Sequence, residues 1–216
     1  MSISNLFVLG GVVMWPLLGL SILATALILE RVVFWFQVAR RQDRVIREIL
    51  ALYRRSARTA FQKLEQNADL PMARIFIAAM ELEQATPEEF RLALESAAQA
   101  ELPLLKRFNT IFETVISVSP LLGLLGTILG LINSFASLRV GDLSSAQTTG
   151  VTAGISEALI STASGLVVAI FTLLFANMFR GLYLRQMALI QEYGGQLELL
   201  YRRRYERGGL PYAPTQ

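Results

Sequence analysis

Three long stretches of the chain are almost free of charged residues. They run from Met1 to Leu29, from Thr114 to Leu138 and from Leu143 to Phe179, and only Glu157 interrupts the last. A helix of roughly 20 mostly apolar residues crosses a bilayer, so each stretch is long enough to span a membrane. The pattern predicts an all-α integral membrane protein with three transmembrane helices and long cytoplasmic helical extensions.

The segment between the first two spans carries signals for helix formation. Thr86, Pro87 and Glu89 form a capping pattern at the start of a helix. The pattern predicts that this helix runs unbroken into the second span, with kinks at Pro103 and Pro120. The tail after the third span is also predicted to form a helix, and the pair Gly194-Gly195 is expected to weaken it.

The basic residues predict the orientation of the spans. Twelve Lys or Arg lie between Gln37 and Arg107, and six lie in the tail from Arg180. The hairpin between the second and third spans carries only Arg139. Because basic loops stay in the cytoplasm, the central segment and the tail are predicted to be cytoplasmic, with the N-terminus outside.

Composition argues against several classes of function. The chain has no Cys and no His, so disulfides, thiolate chemistry and imidazole metal ligands are absent. The sequence shows no nucleophile–base pair, carboxylate dyad or phosphate-binding loop. The net charge of +3 fits orientation and anionic lipid headgroups better than nucleic acid. The sequence therefore predicts no enzyme, no cofactor and no metal site.

Glu157 is the residue that points most directly to function. An ionised carboxylate at membrane depth costs several kcal/mol unless it faces protein or water. At about 100° per residue, Ser161, Ser164 and Thr172 lie within about 60° of Glu157 on one helix face. Thr162 lies about 140° round the same helix and belongs to a different contact. Close helix packing needs no carboxylate, so Glu157 predicts ion passage.

Small residues in the second and third spans have two interpretations, close helix packing and a water-filled lumen. Packing is favoured for the glycines, because they form small-xxx-small patterns. These packing glycines are Gly123, Gly126, Gly130, Gly154 and Gly165. Thr127 and Thr162 fit either interpretation, because a threonine hydroxyl can bond to its own helix.

Charged residues near the inner ends of the spans also need an interpretation. Glu30 and Arg31 are predicted to anchor the first span at the interface. Glu113 is predicted to lie at the membrane interface or to form a salt bridge. Its alternative role is a cytoplasmic proton exit.

Two motifs resemble those of a known family. The segment SPLLGLLGTILGLINSF (Ser119 to Phe135) resembles the second-span signature of the ExbB/TolQ/MotA proton-channel proteins. The segment GISEALISTASGL (Gly154 to Leu166) resembles their third-span signature in its ExbB/TolQ form. The layout of three spans with a basic central segment extends the resemblance over most of the chain.

The resemblance implies a ring-forming subunit, typically of a pentamer, that couples the proton motive force to motion of a partner. The implied partner is an ExbD/TolR-like single-span protein with an intramembrane Asp, and a TonB/TolA-like protein is implied beyond it. Thr127, Glu157 and Thr162 match the polar residues of the family's proton pathway, with Ser134, Ser161 and Ser164 as pore-lining support. The competing functions are a partner-independent channel or transporter and a structural membrane scaffold.

The resemblance also implies the inner membrane of a bacterial cell and a domain order. That order is a periplasmic N-terminus with the first transmembrane helix (1–36), a cytoplasmic helical segment (37–108), the second transmembrane helix (109–138), a short periplasmic hairpin (139–150), the third transmembrane helix (151–180) and a cytoplasmic helical tail (181–216).

Overall fold

The fold is built from helices. A computed structural model of the chain describes residues 7, 9–82, 84–137 and 145–208, and this part contains no strand. The helices are α1 (Met14–Arg55), α2 (Ala57–Glu65), α3 (Pro71–Met80), α4 (Pro87–Leu105), α5 (Asn109–Ala136) and α6 (Ser145–Glu206). The predicted all-α class is confirmed.

Three helical segments are long and apolar enough to cross a membrane. They lie within Met14–Arg55 (α1), Pro87–Ala136 (α4, the turn after it and α5) and Gly150–Glu206 (most of α6), and their most apolar 18 residues have mean hydropathies of 2.0, 2.2 and 2.2. At most 28% of those residues are buried inside the chain. A protein surrounded by water rarely leaves so much contiguous apolar surface uncovered, whereas hydrocarbon solvates it well. The prediction of three helices that can span a membrane is therefore confirmed.

The chain forms two compact units. The first unit consists of Met1–Glu30 and Phe108–Phe179, and the second consists of Arg31–Arg107 and Arg180–Gln216. The first unit contains the start of α1, all of α5 and the first part of α6. The second unit contains the remainder of α1 and α6 together with α2, α3 and α4.

The predicted capping pattern begins α4 in the second unit. The Glu89 backbone N–H donates to the Thr86 hydroxyl at 3.3 Å, and the Thr86 N–H donates to the Glu89 carboxylate at 2.7 Å. Pro87 occupies the first turn, where its missing N–H costs no hydrogen bond. The Thr86 N–H and the Thr86 hydroxyl both donate to the Glu89 carboxylate, and these two bonds hold the pKa of Glu89 below its ordinary value. The capping box is confirmed.

The prediction of an unbroken helix from Pro87 into the second span is wrong. α4 ends at Leu105 and α5 begins at Asn109, and between them Phe108 has a φ of 68°, in the left-handed region. Both guanidinium Nη atoms of Arg31 donate to the carbonyl oxygen of Leu104 at 3.3 Å, and Arg31 is only 3% exposed. Arg31 therefore caps the last turn of α4, where carbonyl groups have no partner within the helix.

The second unit is further held by side-chain contacts between helices. The rings of Phe90 and Tyr201 stack at a centroid separation of 3.9 Å, and the Tyr201 hydroxyl donates to the Ala85 carbonyl at 2.6 Å. Arg74 on α3 forms two hydrogen bonds of 2.7 and 2.6 Å to the carboxylate of Glu101 on α4. Bidentate pairs of this kind fix the relative orientation of two helices.

Two glutamine side chains pair inside the second unit. Gln42 on α1 and Gln186 on α6 are 2% and 3% exposed. The Nε2 of each donates to the Oε1 of the other at 2.9 Å. A buried amide without a partner costs about 1–3 kcal/mol, so this reciprocal pair fixes the register of α1 against α6.

We expect Gln186→Leu to lower the free energy of unfolding of the second unit by about 2 kcal/mol, because it leaves the Gln42 amide buried and unpaired. The double variant Gln42→Leu/Gln186→Leu is expected to lie closer to the wild type, because it removes both polar groups. Thermal unfolding of the detergent-solubilised protein measures both changes. A double variant as unstable as the sum of the two single variants would contradict this interpretation.

Candidate functional site

The backbones of α5 and α6 touch at glycine positions in the first unit. A methyl group added to Gly130 would lie 2.6 Å from the carbonyl oxygen of Gly154 and 2.8 Å from the nitrogen of Ala158. A methyl group on Gly123 would lie 3.0 Å from the Cα of Thr162. Such distances leave no room for a side chain, so the two helices pack as closely as small residues allow.

The contact continues in antiparallel order along both helices. Gly154 faces the Ser134 hydroxyl, Gly126 faces the Ser161 hydroxyl, and a methyl on Gly165 would lie 3.1 Å from the Cα of Gly123. All five glycines predicted for helix packing therefore lie between α5 and α6 of a single chain. The sequence could not distinguish this contact from one between two chains, because glycine spacing is the same in both.

Two of the serines predicted to line a pore lie inside this contact. Ser134 and Ser161 are 2% and 0% exposed. The Ser134 hydroxyl lies 3.0 Å from the Gly130 carbonyl oxygen and 3.2 Å from that of Val151, and the Ser161 hydroxyl donates to the Ala158 carbonyl at 2.9 Å. Both hydroxyls therefore support helix packing within the chain, whereas Ser164 is half-buried.

The Glu157 carboxyl lies at the edge of the α5–α6 contact and is half-buried. The Asn133 Nδ2 on α5 donates to its Oε2 at 3.3 Å. Its other oxygen, Oε1, lies against Gly11 just before α1, where an added methyl group would overlap it. Sequence reasoning did not single out either neighbour, although Asn133 is the one amide side chain of the second-span motif.

The two candidate threonines make different hydrogen bonds. The Thr162 hydroxyl donates across the contact to the Gly123 carbonyl at 3.1 Å. The Thr127 hydroxyl donates to the Leu124 carbonyl of its own helix at 2.6 Å. Both threonines are half-buried.

Glu157 and the threonines lie on different sides of the α5–α6 pair. At about 100° per residue, Asn133 lies about 20° to one side of Gly126 on α5, and Thr127 lies about 100° to the other. The same geometry places Glu157 about 40° to one side of Ser161 on α6 and Thr162 about 100° to the other. A single chain therefore does not bring the three proposed pathway residues into one line.

The residues just before α1 lie on the Glu157 side. Val13 lies beside Gly126, where an added methyl would be 3.6 Å from its Cβ, and a methyl on Gly10 would be 3.1 Å from the Ile160 side chain. Glu113, on α5, is exposed and accepts a hydrogen bond from the Asn109 amide at 2.7 Å.

The fold and this arrangement define a three-span membrane protein with a carboxyl group at the contact between two of its spans. Residues 67–192 match the model of the MotA/TolQ/ExbB proton channel family. The chain belongs to this family, and the resemblance seen in its motifs is confirmed.

Individual relatives agree with the family match. A protein of Synechocystis sp. named putative biopolymer transport protein ExbB-like 3 is 66% identical over 92% of this chain and 94% of its own length. The ExbB-like 1 protein of the same organism is 42% identical over 91% of this chain and 78% of its own length. The Tol-Pal system protein TolQ of Haemophilus influenzae is 37% identical over 49% of this chain and 44% of its own length.

Proposed function

We propose that the chain is a ring-forming subunit of an ExbB/TolQ-like proton channel in a bacterial inner membrane. The channel couples the proton motive force to motion of a single-span partner in its pore, which energises outer-membrane transport or envelope processes. The observation that carries the proposal is the Glu157 carboxyl, half-buried at a contact between two apolar helices in a chain of this family. In this proposal the N-terminus is periplasmic, and the second unit is cytoplasmic.

The separation of Glu157 from the threonines supports assembly into a ring. Thr127 and Thr162 face away from the start of α1, whereas Glu157 faces towards it, so one chain presents only part of a pathway on each side. Neighbouring copies around a ring, five in our proposal, would bring the Glu157 side of one chain towards the threonine side of the next. Protein neighbours would also shield these polar groups from lipid, where they are costly.

The threonine side also supports the need for a partner. Hydroxyl groups can hold water and pass hydrogen bonds, but they do not release a proton near neutral pH. An acid at the level of Thr127 and Thr162 therefore has to come from another chain. We propose that it is the intramembrane Asp of an ExbD/TolR-like protein, and that a TonB/TolA-like protein receives the motion.

Proton flux in liposomes tests this function. We expect little flux from this chain alone and strong flux when it is co-reconstituted with its single-span partner. The matched control is the same partner with its intramembrane Asp replaced by Asn, which should restore the low flux. Strong selective conductance from this chain alone would favour a partner-independent channel, and no flux in any combination would favour a scaffold.

Native mass spectrometry in mild detergent tests the ring. We expect an assembly of several copies, and a stable monomer would contradict the proposed ring.

A further inference from the structure

Both oxygens of the Glu157 carboxyl are in contact with groups of the same chain. Oε2 accepts from the Asn133 amide at 3.3 Å. Oε1 lies on Gly11, and a methyl added there would also come within 2.7 Å of the carboxyl carbon. Gly11 belongs to a short turn, residues 10–13, which we call the Gly11 turn. The carboxyl is thus held on one side by an amide and covered on the other by backbone.

The Gly11 turn is fixed by packing on both sides of Gly11. Gly10 is buried, and an added methyl would lie 3.1 Å from the Ile160 side chain. Val13 is buried beside Gly126, and the Met14 N–H donates to the Gly11 carbonyl at 3.2 Å. Contacts with both α5 and α6 therefore place the turn over the carboxyl.

Two constraints act at position 11, one on the backbone conformation and one on the space beside it. Its φ of 73° lies in the left-handed region, which residues with a Cβ rarely adopt. The direction in which a Cβ would point is occupied by the Glu157 carboxyl. A glycine required only for backbone conformation would show the first constraint without the second. The second indicates that the turn is shaped around the carboxyl.

We propose that Asn133 and the Gly11 turn are positioning elements for Glu157. Asn133 orients the carboxyl by its hydrogen bond to Oε2, and the turn covers Oε1 and restricts access to it. The proposal rests on the proposed function of Glu157 as the proton-carrying group. It adds that the Gly11 turn, just before α1, is part of the proton site.

Chemical labelling tests the cover in the intact chain. N,N′-dicyclohexylcarbodiimide modifies protonated carboxyl groups in membranes, and mass spectrometry of the Glu157 peptide measures the extent. We expect Gly11→Ala to raise the labelling rate several-fold, because either the turn or the Glu157 side chain must move, and either movement uncovers Oε1. Gly19→Ala in α1 is the matched control, because a methyl there meets nothing within 4 Å. Equal labelling in Gly11→Ala and Gly19→Ala would overturn the cover.

Proton flux and infrared spectroscopy test the role of Asn133. In liposomes with the partner, we expect Asn133→Leu to reduce flux about tenfold, the change that loss of one hydrogen bond to a charged group produces. Asn133→Gln, which keeps an amide donor, should recover most of the flux. In protein labelled with ¹³C-glutamate, the carboxyl band lost in Glu157→Gln identifies Glu157. That band should shift in Asn133→Leu and return in Asn133→Gln.

The two proposals fail in different ways. Full flux in Glu157→Gln would overturn the proposed function and, with it, any role of these neighbours in proton transfer. Loss of flux in Glu157→Gln, with unchanged flux and an unchanged carboxyl band in Asn133→Leu, would overturn the positioning role alone.

Discussion

Glu157→Gln is expected to abolish energy-dependent transport while the protein stays in the membrane at its normal level. Glutamine has the size and polarity of glutamate, and its carbonyl oxygen can still accept from Asn133, so the α5–α6 contact is kept. It cannot bind and release a proton in the working pH range. Groups that transfer protons contribute about a hundredfold or more to a rate, and a loss of that order is expected here.

Two further variants refine this expectation. Glu157→Asp keeps the titrating group but shortens its reach by one methylene, so it cannot contact both Asn133 and Gly11 and should be partly active. Thr162→Val removes the hydroxyl that bonds to the Gly123 carbonyl and should impair transport less than Glu157→Gln.

Complementation of a strain that lacks the native gene measures these effects, with immunoblots of membranes to confirm protein levels. Glu95→Gln serves as the matched control, because Glu95 is an exposed acid on α4 whose ion pair with Arg91 adds little stability. Full transport by Glu157→Gln would show that the carboxyl is structural and that the proposed site is wrong.

Gly130→Ala is expected to lower the stability of the first unit strongly. The added methyl would meet the Gly154 carbonyl oxygen and the Ala158 nitrogen, which are backbone atoms and cannot rotate away as a side chain can. Overpacking of this kind costs about 1–3 kcal/mol, and Gly130→Leu should separate the two helices altogether.

Gly181→Ala provides a control of opposite sign. Gly181 is exposed on α6 and a methyl there meets nothing within 4 Å, so alanine should stabilise the helix by up to about 1 kcal/mol. Thermal unfolding in detergent compares the two variants. If Gly130→Ala were as stable as Gly181→Ala, the close approach of α5 to α6 would be wrong.

The structure changes what Gly126→Leu should do. From the sequence, this variant is expected to loosen the ring, because Gly126 lies on a predicted helix-packing face. Gly126 faces Ser161 and Val13 of its own chain. We therefore expect the variant to unfold the first unit as well as to disturb assembly, and both thermal unfolding and native mass spectrometry should change.

The three spans and the start of α4 could be predicted because their causes are local. A run of apolar residues partitions into lipid whatever lies beside it, and the capping box of Thr86 and Glu89 involves residues three apart. The prediction of an unbroken helix from Pro87 failed because residues far apart in the sequence determine where α4 ends. No glycine or asparagine marks the end of α4, and Arg31, which caps it, lies 73 residues from Leu104 in the sequence.

At the pair Gly194-Gly195, the local sequence predicts a weak point in a helix that the structure shows to be continuous. Two glycines predict a weak point, yet α6 passes through them without a break. Tyr193 and Leu197 on either side are buried, at 5% and 0% exposure. Burying such side chains is worth more than the roughly 1 kcal/mol that each glycine costs a helix, so packing overrides propensity.

At the proposed site, the sequence alone identified the carboxyl, because an acid inside an apolar span is costly wherever it points. It did not identify Asn133, 24 residues away, or Gly11, whose role appears only when the turn before α1 lies on the carboxyl. The family resemblance implied one pathway through Glu157 and the two threonines. Helix geometry already separated Thr162 from Glu157, but only the packing of α5 on α6 puts both threonines on the side of the pair away from Glu157. Hydropathy is a property of each segment, but neighbours and sides depend on which helices pack together, and only the tertiary structure decides that.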